Sequence, residues 1–208
     1  MKIGCFGCSF TGGKGGDQKA CWPDELAKQT KYQVYNYGRA GLDNQGILYF
    51  FEKYSHLYDY NIVKMTDHCR LTSIHKSLEE ISKVRDNYYA WNSSNKKRIL
   101  TLTTAGINPD WIDEPWQKVY AIKYHEMWLR HRNWDYEEVQ SIAIKKYLIS
   151  QADFTYFHYN RFNFLNLPTA EDNVEGFNNH LFDGHHSDIH GVKKEAEWIN
   201  TVIERSNK

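Results

Sequence analysis

Short apolar runs alternate with longer amphipathic stretches along the first third of the chain, which is the signature of a parallel β-sheet covered by helices. Lys2-Ile3-Gly4-Cys5-Phe6-Gly7 is an apolar run ending in small residues, and it predicts a buried strand that leads into a tight turn. Pro23 sits near the start of Trp22–Lys31 with Asp24 and Glu25 beside it, the composition of a helix's first turn. Tyr32–Tyr37 is short and β-rich. Asn44 is a candidate cap for a helix running through Ile47, Tyr49, Phe50 and Tyr54, and Tyr60–Met65 supplies a third strand. Strands that alternate with helices in this way are buried on both faces, so the expected class is α/β, with three α/β/α layers around a central parallel sheet.

The rhythm breaks after Arg70. Ile74, Leu78, Ile81 and Val84 fall on one helical face, Arg98–Thr103 reads as a strand, and Asn108-Pro109-Asp110 reads as a turn. Asp135 with Glu138 forms a capping box ahead of Val139, Ile142, Ala143 and Tyr147. Residues 71–135 are therefore expected to be a largely helical insertion in the middle of the scaffold. Phe154–Tyr159 restores a strand, and Val192, Ala196, Ile199 and Ile203 form the apolar stripe of a last helix. No repeat or low-complexity tract interrupts the chain, and one domain over residues 1–208 is expected.

Charge narrows the partners. The 26 basic and 26 acidic residues cancel, which gives no whole-chain field for a polyanion and no expectation of nucleic acid. No apolar run approaches the roughly 18 residues that span a bilayer, and Met1-Lys2 passes straight into Ile3 without a signal-like stretch. A cytoplasmic protein without a membrane partner is expected. Aromatic residues make up 15% of the chain, enough to furnish a packed core or an aromatic-lined cleft. Cys5, Cys8, Cys21 and Cys69 are expected as reduced thiols. Cys5-x-x-Cys8 invites a redox or zinc reading, but no second pair completes four ligands.

The chemistry-bearing residues lie near the two ends. Ser9 follows the first strand directly, which in an open α/β sheet is the carboxyl edge where such folds bind ligands, and Gly7 allows a close approach there. Asp183-Gly184-His185-His186 places an Asp three residues before a His on one loop, so that Asp183 can orient the His186 ring while its other nitrogen faces a serine hydroxyl. The structural alternatives are a turn serine bonded to local backbone, an Asx turn at Asp183 and a surface histidine at His186. His185, His186, Asp188 and His190 also offer metal-ligand chemistry, though Gly191 suggests that the last helix begins after them. Gly12–Gly16 with Lys14 lacks phosphate-loop spacing and reads as a loop beside the site. No cofactor or metal is expected.

Three blocks taken together resemble the SGNH/GDSL hydrolase family: Gly7-Cys8-Ser9-Phe10-Thr11, then Asn36-Tyr37-Gly38-Arg39-Ala40-Gly41, then Asp183-x-x-His186 with Gly191. The resemblance implies a flavodoxin-like sheet, a Ser9-His186-Asp183 mechanism and an oxyanion hole that includes the backbone amides of Ser9 and Gly41. Where the family ends a strand with Gly-x-Asn, this chain has Thr66-Asp67-His68, so His68 stands at the asparagine position. His68, Thr66 or Arg70 is then the substitute donor, and Asn44 is either a helix cap or a support for the oxyanion loop. The implied substrate is a small or glycan-linked ester. A catalytically weakened binding or accessory protein and an acyltransferase using the same serine are the alternatives.

Overall fold

The computed structural model describes residues 1–13, 21–39, 42–66, 70–75, 98–103, 134–160, 163, 165–181 and 187–206, with 70–75, 98–103 and 134–137 described as backbone. Strand β1 (Lys2–Gly7) runs into a one-turn helix α1 (Ser9–Gly12), followed by α2 (Trp22–Gln29) and β2 (Gln33–Asn36). Next come α3 (Asn44–Tyr54), β3 (Tyr60–Met65) and two further strands, β4 (Arg70–His75) and β5 (Arg98–Thr103). Helix α4 (Trp134–Gln151), β6 (Phe154–Phe157), the short α5 (Ala170–Asn173) and α6 (Ile189–Ser206) complete the described elements.

The main sheet has the order β2-β1-β3-β6, and every pairing within it is parallel. The chain leaves β1 toward β2 on one side and returns to β3 on the other. The carboxyl ends of β1 and β3 thus flank the point where the winding direction reverses, the position at which such sheets form a crevice. Gly7 pairs with Lys64, so the residues just beyond these two strands emerge at the same level.

Alternation along the central strands divides the core in two. Ile3, Cys5, Ile62 and Tyr156 face Trp22 and Leu26 of α2 and Val192, Ala196, Ile199 and Ile203 of α6. Phe6, Val63, Met65 and Phe157 face Ile47, Phe50 and Phe51 of α3 and Leu148 of α4. Each fully buried aliphatic or aromatic side chain contributes about 1.5–3 kcal/mol relative to exposure, which explains why the sheet's four described strands carry helices on both faces. This is the expected three-layer α/β arrangement. On the outer side of β6, Phe157 pairs with Thr169 and donates its amide to Pro168 O at 3.0 Å.

The middle of the chain differs from expectation. Ile74 belongs to β4, not to a helix, because Arg70–His75 pairs antiparallel with Arg98–Thr103 in a separate two-stranded sheet. The residues at Leu78, Ile81 and Val84 lie outside the described set. The β-branched and apolar content of Leu71-Thr72-Ser73-Ile74 suits a strand as well as a helix, and cross-strand partners decided the outcome. Helix α4 is also turned from its expected face. Val139 is 64% exposed and Tyr147 42%, whereas Ser141, Lys145 and Leu148 are buried. The reason is polar: the Asn44 amide donates to Ser141 Oγ at 3.3 Å, and Lys145 Nζ lies 5.3 Å from the centre of the Phe157 ring. Asp135 falls inside the helix, not at its cap.

Cys5 and Cys8 sit in opposite halves of the core, so the Cys-x-x-Cys spacing brings no pair of thiols together. Among the described residues, Cys5, Cys8 and Cys21 are all free and buried. Cys21 precedes α2, and its sulfur accepts a hydrogen bond from Asn36 Nδ2 at 3.3 Å. Burial pushes its thiol from 9.0 up to about 12. Above pH 9 the unfolded thiol ionises while the folded one keeps its proton, so the native state binds more protons and loses relative stability as pH rises toward 12. Thermal midpoints are expected to fall progressively between pH 9 and 12, with a shallower fall in Cys21→Ala measured alongside wild type.

Candidate active site

Ser9 is the first residue of α1, two residues beyond the end of the β1–β3 pairing, and its side chain and backbone are 9% exposed. The turn that carries it is closed by Thr11 and Gly12, whose amides donate to Cys8 O at 3.0 and 2.9 Å. A Cβ at Gly7 would lie 2.1 Å from Thr11 Oγ1 and 3.0 Å from Lys64 O, so only glycine lets α1 fold back onto the strand end.

The second sequence block packs directly on this turn. A Cβ on Gly38 would stand 2.3 Å from Gly12 N, and one on Gly12 would stand 2.5 Å from Gly38 O. Two backbones therefore touch with no side chain between them. Arg39 N donates to Gly7 O at 3.0 Å, and Asn36 joins both blocks: its Nδ2 donates to Thr11 O at 3.1 Å and its Oδ1 accepts from Gly38 N at 2.8 Å. Asn36 was legible as part of a motif, but its role as the staple between the blocks was not. Gly41 lies outside the described residues; Leu42 beyond it is fully buried and donates to Arg39 O at 3.3 Å.

Asn44 does not cap α3. Asp43 does, accepting from Gly46 N at 2.7 Å, one residue earlier than expected. Asn44 instead clamps the end of β3: Oδ1 accepts from Thr66 N at 3.1 Å and Nδ2 donates to Thr66 O at 2.9 Å. Mimicking a strand partner for one residue, it fixes where β3 ends beside Ser9. Thr66 itself is 1% exposed, and its buried hydroxyl has no hydrogen-bond partner among the described residues. His68 lies outside the described residues, as does the side chain of Arg70, whose backbone opens β4.

Asp183, His185 and His186 also lie outside the described residues, but the base of their loop does not. Leu181 and Ser187 form an antiparallel bridge, and Asp188 N donates to His180 O at 2.6 Å. Asp188 Oδ1 accepts from Gly191 N at 2.8 Å, which caps α6. The helix starts at Ile189, ahead of Gly191, whose missing Cβ would otherwise lie 2.9 Å from the Cβ atoms of His180 and Ser187. Among the described residues no three His, Cys, Asp or Glu side chains converge as a metal site.

Aromatic stacking links this loop base to the serine turn. Phe10 stacks on His158 with centroids 4.2 Å apart, and His158 and Tyr159 both meet Phe177, in the turn just before the loop, at 4.8 and 5.5 Å. His158, 2% exposed at the end of β6, was missed by sequence reasoning, and no pattern around it would have revealed its place. Beneath Phe10, Lys64 Nζ pairs with Glu195 Oε1, which also accepts from Tyr156 OH at 2.7 Å. Burial lowers the Lys64 pKa against the opposing pull of Glu195, and burial with the same carboxylate raises that of Tyr156.

No protein-family model matches the sequence, and no curated protein matches it. Solved structures are similar over nearly the whole chain at low identity. A member of the lipolytic protein G-D-S-L family from Veillonella parvula shares 13% identity over 98% of this chain and 98% of its own, with a TM-score of 0.44. A family 3 carbohydrate esterase from Clostridium thermocellum shares 14% over 99% and 96%, also at 0.44. A catalytic mutant of an acetylxylan esterase from Geobacillus stearothermophilus shares 10% over 97% and 93%, at 0.45.

The contact between the serine turn and the second block is the most exacting part of the geometry. Gly38→Ala forces a methyl against a backbone nitrogen and is expected to destabilise the protein by about 2 kcal/mol or more. Urea unfolding with an unchanged m value checks it.

Proposed function

We propose that the chain is a serine esterase or acylhydrolase of the SGNH/GDSL type that cleaves a small or carbohydrate-linked ester. The observation that carries this reading is the locking of the Ser9 turn against the Asn36–Arg39 block at the sheet's switch point. Two of the three blocks that carry the resemblance thus meet in space, and a nucleophile held this way needs little reorganisation before attack.

In the proposed reaction Ser9 Oγ attacks the ester carbonyl carbon while His186 accepts the hydroxyl proton, and Asp183 orients the ring and stabilises its charged form. The tetrahedral intermediate collapses, the alcohol leaves with the proton from His186, and an acyl-enzyme remains. Water, deprotonated by His186, then releases the acid. The amides of Ser9 and Gly41 supply oxyanion donors in this scheme, and the Thr66 hydroxyl is the third. Its support is twofold: Ser9 and Thr66 each lie two residues beyond the Gly7–Lys64 pair, and the hydroxyl has no acceptor among the described residues. The Asn44 clamp on the Thr66 backbone keeps it in place.

The replacement of the family's asparagine by His68 favours a second reading, an accessory protein that keeps the fold without efficient chemistry. A fluorophosphonate probe separates the two. Labelling of wild type that vanishes in Ser9→Ala supports the hydrolase; absence of labelling in folded wild type supports the accessory protein. Acetylated sugars and short-chain esters, assayed with and without an acceptor alcohol, then divide hydrolysis from transfer. Thr66→Val, which keeps shape and removes the donor, is expected to lower kcat by about a hundredfold with KM little changed.

A further inference from the structure

Lysine is almost never fully buried unless it is paired, and Lys64 is completely buried in the middle of the sheet. It occupies a position of β3 where Ile62, on the same face, is an ordinary core residue. Its ammonium meets Glu195 of α6, the carbonyl oxygen of Phe10 at 3.4 Å, and the rings of Phe10 and Tyr156 at 5.7 and 5.3 Å from their centres. Apolar residues of similar volume fill such places at no loss of stability in many proteins, so stability gives no reason for charges here. What the charges do is join. One ammonium ties together β3, α6 through Glu195, β6 through the shared Tyr156 hydroxyl, and the turn through Phe10.

Two of those four attachments belong to the proposed site. Phe10 directly follows Ser9. Glu195 lies in the second turn of α6, whose first residues are anchored through Asp188 and Gly191 to the bridged base of the Asp183–His186 loop. We propose that Lys64 is a positioning residue: paired with Glu195, its ammonium holds the Phe10 carbonyl and thereby sets the Ser9 turn in register with α6 and the Leu181–Ser187 bridge at its start. The catalytic part of this inference rests on the serine-hydrolase reading; the mechanical part does not. A misplacement on the order of 1 Å between nucleophile and base costs about a hundredfold in rate, so a device acting at this distance from the chemistry has a measurable effect.

The test replaces the network as a whole, in the triple variant Lys64→Met, Tyr156→Phe, Glu195→Leu, which leaves no charge or hydroxyl stranded. Its thermal midpoint is expected to equal or exceed that of wild type. The Thr11 and Gly12 amides, which close the turn, should exchange with solvent at least about tenfold faster, and kcat on an acetyl ester should fall about 10- to 100-fold with KM within about twofold. A purely structural role predicts the opposite pattern, in which restored stability restores activity. A stable triple variant with wild-type kcat overturns the proposal. If wild type hydrolyses no ester and Ser9 is not labelled, the hydrolase reading falls, and unchanged amide exchange in the variant then overturns the mechanical part by itself. Should the variant not fold, NMR of wild type decides: a slowly exchanging Lys64 ammonium correlated through its hydrogen bond to the Phe10 carbonyl carbon supports the proposal, and its absence overturns it.

Discussion

Backbone-to-backbone contact between Thr11-Gly12 and Gly38-Arg39 is the constraint on which the candidate site depends. With no Cβ on either glycine, the turn after β1 and the turn after β2 approach closely enough for Asn36 to bond to both. Everything else at the crevice is arranged around this contact. Gly7 lets α1 fold onto the strand end, Arg39 N reaches back to Gly7 O, and Leu42 is drawn into the core under α3. Asp43 then starts α3 and leaves Asn44 directed at the end of β3. The local chain of causes runs from two missing methyl groups to the placement of a neighbouring strand.

The opposite side of the crevice is organised by charge. Lys64, Glu195 and Tyr156 form a buried polar cluster below Phe10, while Phe10, His158, Tyr159 and Phe177 form an aromatic one above it. Hydrophobic packing alone is non-directional. Hydrogen bonds and ring stacking have angles as well as distances, and here they join α6 and the Phe177 turn to the sheet in one orientation.

How far the sequence revealed this depended on whether a residue's partners were local. β1, β2, β3 and the last helix were legible because burial on both faces of a strand, or one face of a helix, writes itself into spacing. The same reasoning placed Ile74 in a helix, because short apolar runs fit either period and the strand partner at Arg98–Thr103 lies far away in sequence. It gave α4 the wrong inner face, since that face holds Ser141 and Lys145, which look like solvent residues until Asn44 and the Phe157 ring are brought to them. Asn44 was expected either to cap a helix or to support the oxyanion loop; Asp43 is the cap, a choice left open because a capping residue and a strand clamp have the same side chain and Asp43 beside it was equally suited to cap. Lys64 was invisible, for nothing in Tyr-Asn-Ile-Val-Lys-Met distinguishes a buried lysine from one at a strand's solvated end. Of the candidate catalytic residues, Ser9 was placed correctly at the carboxyl edge of β1 by the order of strand and glycine alone.

Among the described residues, the two outer margins of the main sheet are treated differently. β2 is only four residues long, and beyond β6 the chain returns through Pro168 and Thr169 to occupy Phe157. Brevity on one side and a proline-bearing cover on the other are ways of denying a foreign strand the row of unpaired amides and carbonyls it would need to add itself. The architecture that opens a crevice at the ends of its strands thus gives a foreign strand little purchase along their sides.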